Sequence, residues 1–553
     1  MRATLGIVLG CFVLALPARA ADAPGEAACF ERATRSSAIA GYSLSKVQRW
    51  LREVALKQID RETGLYVARG QWNYHNTAAD CYPFLCWAAY ATDQEALRGP
   101  LRDVLHAETR LCNHLDRIPA PYDFEKKRKV DEYPMDRLVF GASEYVKDGL
   151  IAIVEVTGKD EWFERMKGIE EDLWKHAQIE TPYGKIPSSS QPVRDVEIDG
   201  EQLQALVRLH AMTGDARFLR WAQRLGDYYL KRDGFVPPHL RDHGCEIVGG
   251  LGLLVAIESE IDPRKAQEHL PPLRKMLDAI LARGCNPDGF MYNAIGGQQT
   301  SGFKQGTLSD GWGYNYVAYL CCDMAVRKPH YRARIERTLR NLAKPVYRET
   351  GVGGKGGDSS ADSAEGAMYL LNRCPVPEGF AWVDREVDTY LVRRAVPLEK
   401  ARLWGVNKWE CNCVRTVIMH ALMHTRGLRA VPWRSDLKLG AAERGGGLAV
   451  VVRADRPWKG RLVFDVPRHR LFLGFRRDWP RMNTLPEWFT VEPDRSYEIR
   501  DVRAGRSDTR TGRQLHEGLQ VELEAKTPLR LVVESKGQPE TDAVGAGSPR
   551  SGS

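Results

Sequence analysis

The chain has 553 residues, too many for one small core, and its 43% hydrophobic content fits one large domain with a smaller companion. Its 80 basic and 72 acidic residues leave a net charge of +8 with both signs plentiful, which excludes a nucleic-acid-binding stripe. The one dense basic run, Lys126-Lys127-Arg128-Lys129, reads as a solvated loop.

At the N-terminus, Arg2 precedes an apolar run from Leu5 to Leu16, and Pro17-Ala18-Arg19-Ala20 ends in a small-x-small pattern. This predicts a secretory signal peptide over 1–20, because the run is shorter than the roughly 20 apolar residues a membrane span needs. No later stretch has that length. The expectation is a secreted or periplasmic protein without stable membrane insertion. Loss of Cys11 from the 12 cysteines leaves an odd number in an oxidising compartment. Cys321-Cys322 and Cys411-Asn412-Cys413 are the tight pairs, and most of the others sit in apolar helical patterns as small core residues.

From 40 to 432 the pattern is helical almost throughout. Leu44, Val47, Leu51, Val54, Ala55 and Ile59 recur at three and four, as do Phe218, Leu219, Ala222, Leu225 and Tyr229. The turns Ala91-Thr92-Asp93, Thr157-Gly158-Lys159-Asp160 and Thr213-Gly214-Asp215 each end one helix and offer an Asp to cap the next. The spacing predicts about twelve to fourteen helices strung as α-hairpins. Long loops rich in aromatics, Gly and charge (70–80, 118–137, 182–200, 286–310 and 350–362) favour a closed barrel with a decorated mouth over an open solenoid. Beyond Asp436, short alternating runs such as Leu448, Val450, Val452 and Leu529, Leu531, Val533 predict a small antiparallel β-sandwich over 436–535. Gly, Ser and Pro dominate 536–553, read as a disordered tail.

Four constellations carry chemistry. Ser309 to Tyr316 closes a Gly-rich loop and opens a helix. Asp310 there is either the N-cap or, with Trp312, Tyr314, Asn315 and Tyr316, part of a sugar-facing set, since flat rings stack on sugar C–H surfaces and amides bind hydroxyls. Asp362 and Glu365 follow a glycine loop at capping-box spacing, and they face a barrel mouth if their helix lines it. Trp72-Asn73-Tyr74-His75 leads into Asp80, and His75 is the histidine best placed for chemistry. In Lys408-Trp409-Glu410-Cys411-Asn412-Cys413, Glu410 sits in a helix's first turn, where the dipole favours a carboxylate. Cys411 and Cys413 are two apart and cannot share a helical face, so a metal there needs distant partners such as His243, Cys245 or Glu246. A disulfide or two core thiols is the other reading of that pair, and no cofactor is expected, with zinc as the alternative.

Hairpin repeats, aromatic-acidic loops before inner helices and a terminal β-sandwich resemble the six-hairpin glycosidase-like proteins, which implies an (α/α)6 toroid as the catalytic domain. Asp310 to Asn315 and Asp362 to Asn372 are the stretches most similar to that superfamily. Glu410-Cys411-Asn412-Cys413 is similar to the thiolate-zinc β-L-arabinofuranosidases, but their adjacent Cys pair is here split by Asn412. The resemblance implies a carbohydrate partner, and the sequence assigns no oligomeric state.

Three functions compete. A glycoside hydrolase needs a proton donor and a second carboxylate; Asp310 and Glu365 are the expected pair, with Asp80 and Glu410 in reserve and Trp72, Trp312, Tyr316 and Trp409 as the sugar platform. A uronate lyase needs a charge neutraliser and a proton-abstracting Tyr or His, types supplied by Asn73, Tyr74, His75, Tyr314 and Asn315. A non-catalytic glycan-binding protein keeps the aromatics and tolerates loss of the acids.

Overall fold

The computed structural model describes residues 25–241, 243–297 and 307–536. The expected signal peptide, and all but the first residue of the expected tail, lie outside these residues. No described helix is long and apolar enough to cross a membrane.

The helices form a toroid of hairpins, as expected, with seven inner helices among the described residues where the (α/α)6 ring implied six. The inner layer runs Tyr82–Thr92, then Met135–Glu144 continuing through Tyr145–Ile151 and Ala152–Thr157, then Glu197–Thr213, Cys245–Ile261, Trp312–Val326, Gly357–Arg373 and Lys408–Thr425. Each packs on the next and the last packs on the first, closing the ring. Between them in the chain, Glu26–Glu53, Pro100–Cys112, Glu161–Lys175, Ala216–Leu230, Pro263–Arg283, Arg332–Asn341 and Pro377–Glu386 make the outer layer.

Sequence separates the two layers. An outer helix has one apolar stripe: Phe218, Ala222, Leu225 and Tyr229 are buried while Arg217 and Arg220 face out. An inner helix is enclosed on all sides, as along Cys245–Glu258. Glycine lets inner helices touch backbone to backbone: a Cβ at Gly200 would fall 2.3 Å from Ile247 N, and one at Gly313 would fall 2.4 Å from Gly366 C. The expected Asp caps form at Asp93, Asp160 and Asp215, each accepting from the first turn of the next helix.

After the ring come two antiparallel sheets. The five-stranded one has the order Arg506–Thr511, Ser496–Asp501, Leu529–Ser535, Gly447–Arg453, Lys438–Arg444; the three-stranded one has Leu519–Leu523, Trp458–Val463, Arg429–Val431. Side chains alternate along these strands. Ala449, Val451 and Val532 pack with Cys29, Phe30 and Ala33 of the first helix, whereas Leu448, Val450, Leu531 and Val533 join the main core. The charged strand Arg506–Thr511 protects the sheet edge.

Between Trp458–Val463 and Ser496–Asp501 the chain leaves the sheets and enters the axis of the ring. Trp479, Arg481, Met482, Asn483, Thr484 and Leu485 are all buried. Arg481 Nε meets Glu155 Oε1 at 2.8 Å, Thr484 Oγ1 donates to Glu155 Oε2 at 2.9 Å, and Arg208 Nη2 donates to the Met482 carbonyl at 2.7 Å. Asn483 donates to Asp148 Oδ1 at 2.7 Å.

One buried charge has no such compensation. Glu170 is fully enclosed and neither carboxylate oxygen has a hydrogen-bond partner, so burial pushes its pKa up from 4.5 to about 8. The folded state therefore prefers the protonated form. Stability is intact below pH 4.5, falls as pH rises towards 8, and loses at most about 5 kcal/mol. Glu170→Met is expected to raise the urea midpoint at pH 8.5 and leave it nearly unchanged at pH 4.5. A gain of equal size at both values would show that burial of this carboxyl is not its source.

Candidate active site

At one end of the ring, side chains from the first turns of several inner helices and from the middle of the helix that opens at Met135 enclose a cavity. It is lined by His75, Asp80, Glu144, Lys147, Asp148, Glu197, His243, Glu246, Tyr314, Asp358, Asp362, Glu365, Lys408, Asn412 and Arg415, with Met482 and Asn483 from the axial segment as its floor. Its cavity volume is about 50 Å³. Partial positive charge at helix N-termini favours carboxylates at this end.

The lining is acidic. The eight carboxylates Asp80, Glu144, Asp148, Glu197, Glu246, Asp358, Asp362 and Glu365 face three obligate cations, Lys147, Lys408 and Arg415. Arg415 ion-pairs with Asp362 and, at 2.6 Å, with Glu365 Oε2. Glu365 also accepts from Tyr314 at 2.8 Å and Tyr369 at 2.6 Å. Lys147 Nζ lies 2.7 Å from both Asp148 Oδ1 and Glu246 Oε1. Burial opposes its charge, but Asp148, Glu246 and Glu201 outweigh burial and hold its pKa well above the usual lysine value. His243 pairs with Glu197, and His75 Nδ1 lies 3.2 Å from Glu144 Oε1. Burial, then the facing Glu201, Glu197, Asp148 and Asp80 carboxylates, push Glu144 well above the ordinary carboxyl range.

Asp80 and Asp358 remain. Asp358 accepts from Asn412 Nδ2 at 2.8 Å, and Asp80 lies 4.0 Å from Lys408 Nζ.

Several expected site residues converge here: His75, Asp80, Tyr314, Asp362 and Glu365 all line the cavity. Others do not. Asp310 is absent from the lining; its Oδ1 accepts from Gly311 N, and the glycine loop covers it so closely that a Cβ at Gly353 would fall 2.3 Å from Asp310 N. Nor does Asp310 cap the helix, which opens after Gly311 without a side-chain cap. The Asp310–Glu365 pair is therefore corrected: one member lies outside the cavity and the other is occupied by three donors. Asp362 and Glu365 form no capping box, because their helix begins at Gly357, which places both inside it.

The expected sugar platform is also corrected. Trp72, Trp312 and Tyr316 are fully buried: Trp312 Nε1 donates to Ser363 Oγ and Tyr316 to the Gly289 carbonyl, bonds that fix the layers of the ring. Asn315 is buried and donates to the Leu240 and Gly311 carbonyls. Trp409 alone of the four rings is exposed, with the Arg69 guanidinium 4.7 Å over it. Asn73 lines an adjoining groove with Tyr122, Tyr133 and Phe140, which shares His75 with the cavity. Glu410 is bonded to its own cap, Asn407, and lies outside the lining.

Cys411 and Cys413 are separate buried thiols. Burial, and Cys81 beside it, raise the Cys411 pKa; burial pushes Cys413 up to about 12. Among the described residues no group of convergent ligand atoms contains Cys411, Cys413 or Cys245, whereas His243 converges with Glu144 and Glu197. The zinc alternative at those cysteines is thus not assembled.

Sequence reasoning missed Glu144, Lys147, Asp148, Glu197 and the axial segment. A signal was present for the first three: Glu144, Lys147 and Asp148 form a charged stripe at three and four along an otherwise apolar helix.

No protein-family model and no curated protein sequence matches this chain. Among solved structures, an inactive variant of the α-1,6-mannanase of Salegentibacter sp. in complex with α-1,6-mannotriose is similar at 12% identity and a TM-score of 0.40, over 69% of this chain and 99% of that one. The cellobiose 2-epimerase of Spirochaeta thermophila is similar at 12% identity and 0.40, over 68% and 96%. A β-L-arabinofuranosidase of Geobacillus stearothermophilus is similar at 12% identity and 0.35, over 74% of each chain.

Proposed function

We propose that this chain is an exported glycoside hydrolase acting on a neutral poly- or oligosaccharide, with Asp80 and Asp358 as its acid and base. The observation that supports this reading is the excess of carboxylates at the cavity, eight against three obligate cations. Such a lining repels a polyuronate and suits hydroxyl-rich neutral sugars. Hydrolysis needs one carboxyl to protonate the departing glycosidic oxygen and one carboxylate to take a proton from water, or to attack, at the anomeric carbon. Asp362 and Glu365 pair with Arg415, Asp148 and Glu246 with Lys147, and Glu144 and Glu197 with His75 and His243; Asp80 beside Lys408 and Asp358 beside Asn412 line the same cavity, and those two roles are assigned to them. Trp409 and the groove with Asn73 would extend sugar contacts outward.

The uronate lyase reading is weaker at Tyr314, one of the residues expected to supply its base. Burial, then Asp362 and Glu365, push the Tyr314 phenol well above its ordinary value of 10, where it does not abstract a proton near neutrality. Incubation of the purified protein with neutral glycans and with polyuronates separates the two. The expected result is new reducing ends from a neutral glycan without absorbance of an unsaturated uronide. Rising absorbance on a polyuronate would overturn the hydrolase assignment.

A further inference from the structure

At the far end of the last inner helix from the cavity, three ligating side chains meet outside the site described above. His420 and His424 lie one turn apart on Lys408–Thr425, and Asp384 approaches from the outer helix Pro377–Glu386. His420 Nε2 and His424 Nε2 are each 2.8 Å from the same oxygen, Asp384 Oδ1, and 3.2 Å from one another. Three donor atoms with these separations fit a single ion placed about 2.1 Å from each, the usual zinc–nitrogen and zinc–carboxylate distance. Histidines at i and i+4 present their rings to one point on a helix face.

The surroundings suit a bound ion. Ser36 Oγ on the first helix lies 3.1 Å from His424 Nδ1, the outer hydrogen bond that orients a ligating imidazole. The His420 side chain is 1% exposed, His424 11% and Asp384 35%, so the inner ligand is fixed by packing while the carboxylate opens a route from solvent.

We infer that His420, His424 and Asp384 form a binding site for one divalent transition-metal ion of the zinc class. Two imidazoles and one carboxylate select such ions over calcium and magnesium, which prefer all-oxygen sets. The ion ties the last inner helix to its outer neighbour, and through Ser36 it braces the seam where the first helix meets the last.

Isothermal titration of the chelator-treated full chain with zinc tests this, paired with the visible spectrum after cobalt addition. Wild type is expected to take zinc at this site and to show the cobalt bands of a nitrogen-oxygen set. His424→Asn and Asp384→Asn, both at partly exposed positions, are expected to lose at least about tenfold in affinity and to keep their far-ultraviolet circular dichroism. His243→Asn, in the separate cavity cluster, is expected to bind as wild type does. No zinc uptake by wild type, unchanged affinity in His424→Asn, or loss only in His243→Asn would each overturn the site. The ordinary alternative, in which both rings simply donate to Asp384, predicts the first of these results.

Discussion

Asp358→Asn and Asp80→Asn are each expected to lower turnover of the neutral glycan by about a thousandfold while leaving glycan affinity nearly intact. General acid–base groups contribute about 10² to 10⁴ in rate, and a thousandfold is about 4 kcal/mol of transition-state stabilisation. Asparagine keeps the shape and the hydrogen-bonding reach of aspartate but neither holds nor gives up the proton. At position 358 it keeps an acceptor for Asn412, so the fold should not suffer. Glu365→Gln is a different case. That carboxylate bears on Arg415, Tyr314 and Tyr369, and its loss should lower stability and activity together. Turnover and binding measured side by side on Asp80→Asn, Asp358→Asn and wild type decide the matter. Full turnover in both aspartate variants would end the assignment, and binding retained with no turnover in wild type would mark a glycan-binding protein.

Glu155→Leu is expected to destabilise the fold by about 3–5 kcal/mol, the cost of leaving buried partner charges unpaired. Glu155 is fully buried, and burial alone would raise its pKa. Arg481 and Arg208 reverse that and hold it down to about 2. Without the carboxylate, buried Arg208 loses its ion-pair partner, Arg481 keeps only its pairs with Asp478 and Glu487, and Thr484 keeps only the Leu485 carbonyl. The axial segment is anchored through these contacts, so limited proteolysis should cut near Arg476, Arg477 or Arg481 well before the rest of the chain opens. Denaturant midpoints with a mapped digest test both parts. An unchanged midpoint and an uncut segment would show that the anchor lies elsewhere.

The ring of helices was legible because its signals are local. Three-four periodicity, Asp caps and Gly-terminated turns act within a few residues, and Asp93, Asp160 and Asp215 cap where the spacing predicts. The cavity was half legible. His75, Asp80, Tyr314, Asp362 and Glu365 stand near helix starts, and the closed ring gathers helix starts at one end. The aromatic reading failed at Trp72, Trp312 and Tyr316 because a double layer of helices needs large side chains between its walls, and nothing local separates a ring that fills a wall from one that meets a sugar. The axial segment carried no signal at all. Arg481-Met482-Asn483-Thr484 is ordinary loop sequence, and its partner Glu155 stands 326 residues away.

That segment decides how traffic through the hollow must run. A bare ring of helices is a pipe open at both ends, along which a polymer can thread. With Met482 and Asn483 stoppering the bottom, the pipe becomes a blind cup, and whatever enters must leave across the same lip. On the proposed reading, a long glycan would reach the cup by its tip or a short branch, with its middle across the rim.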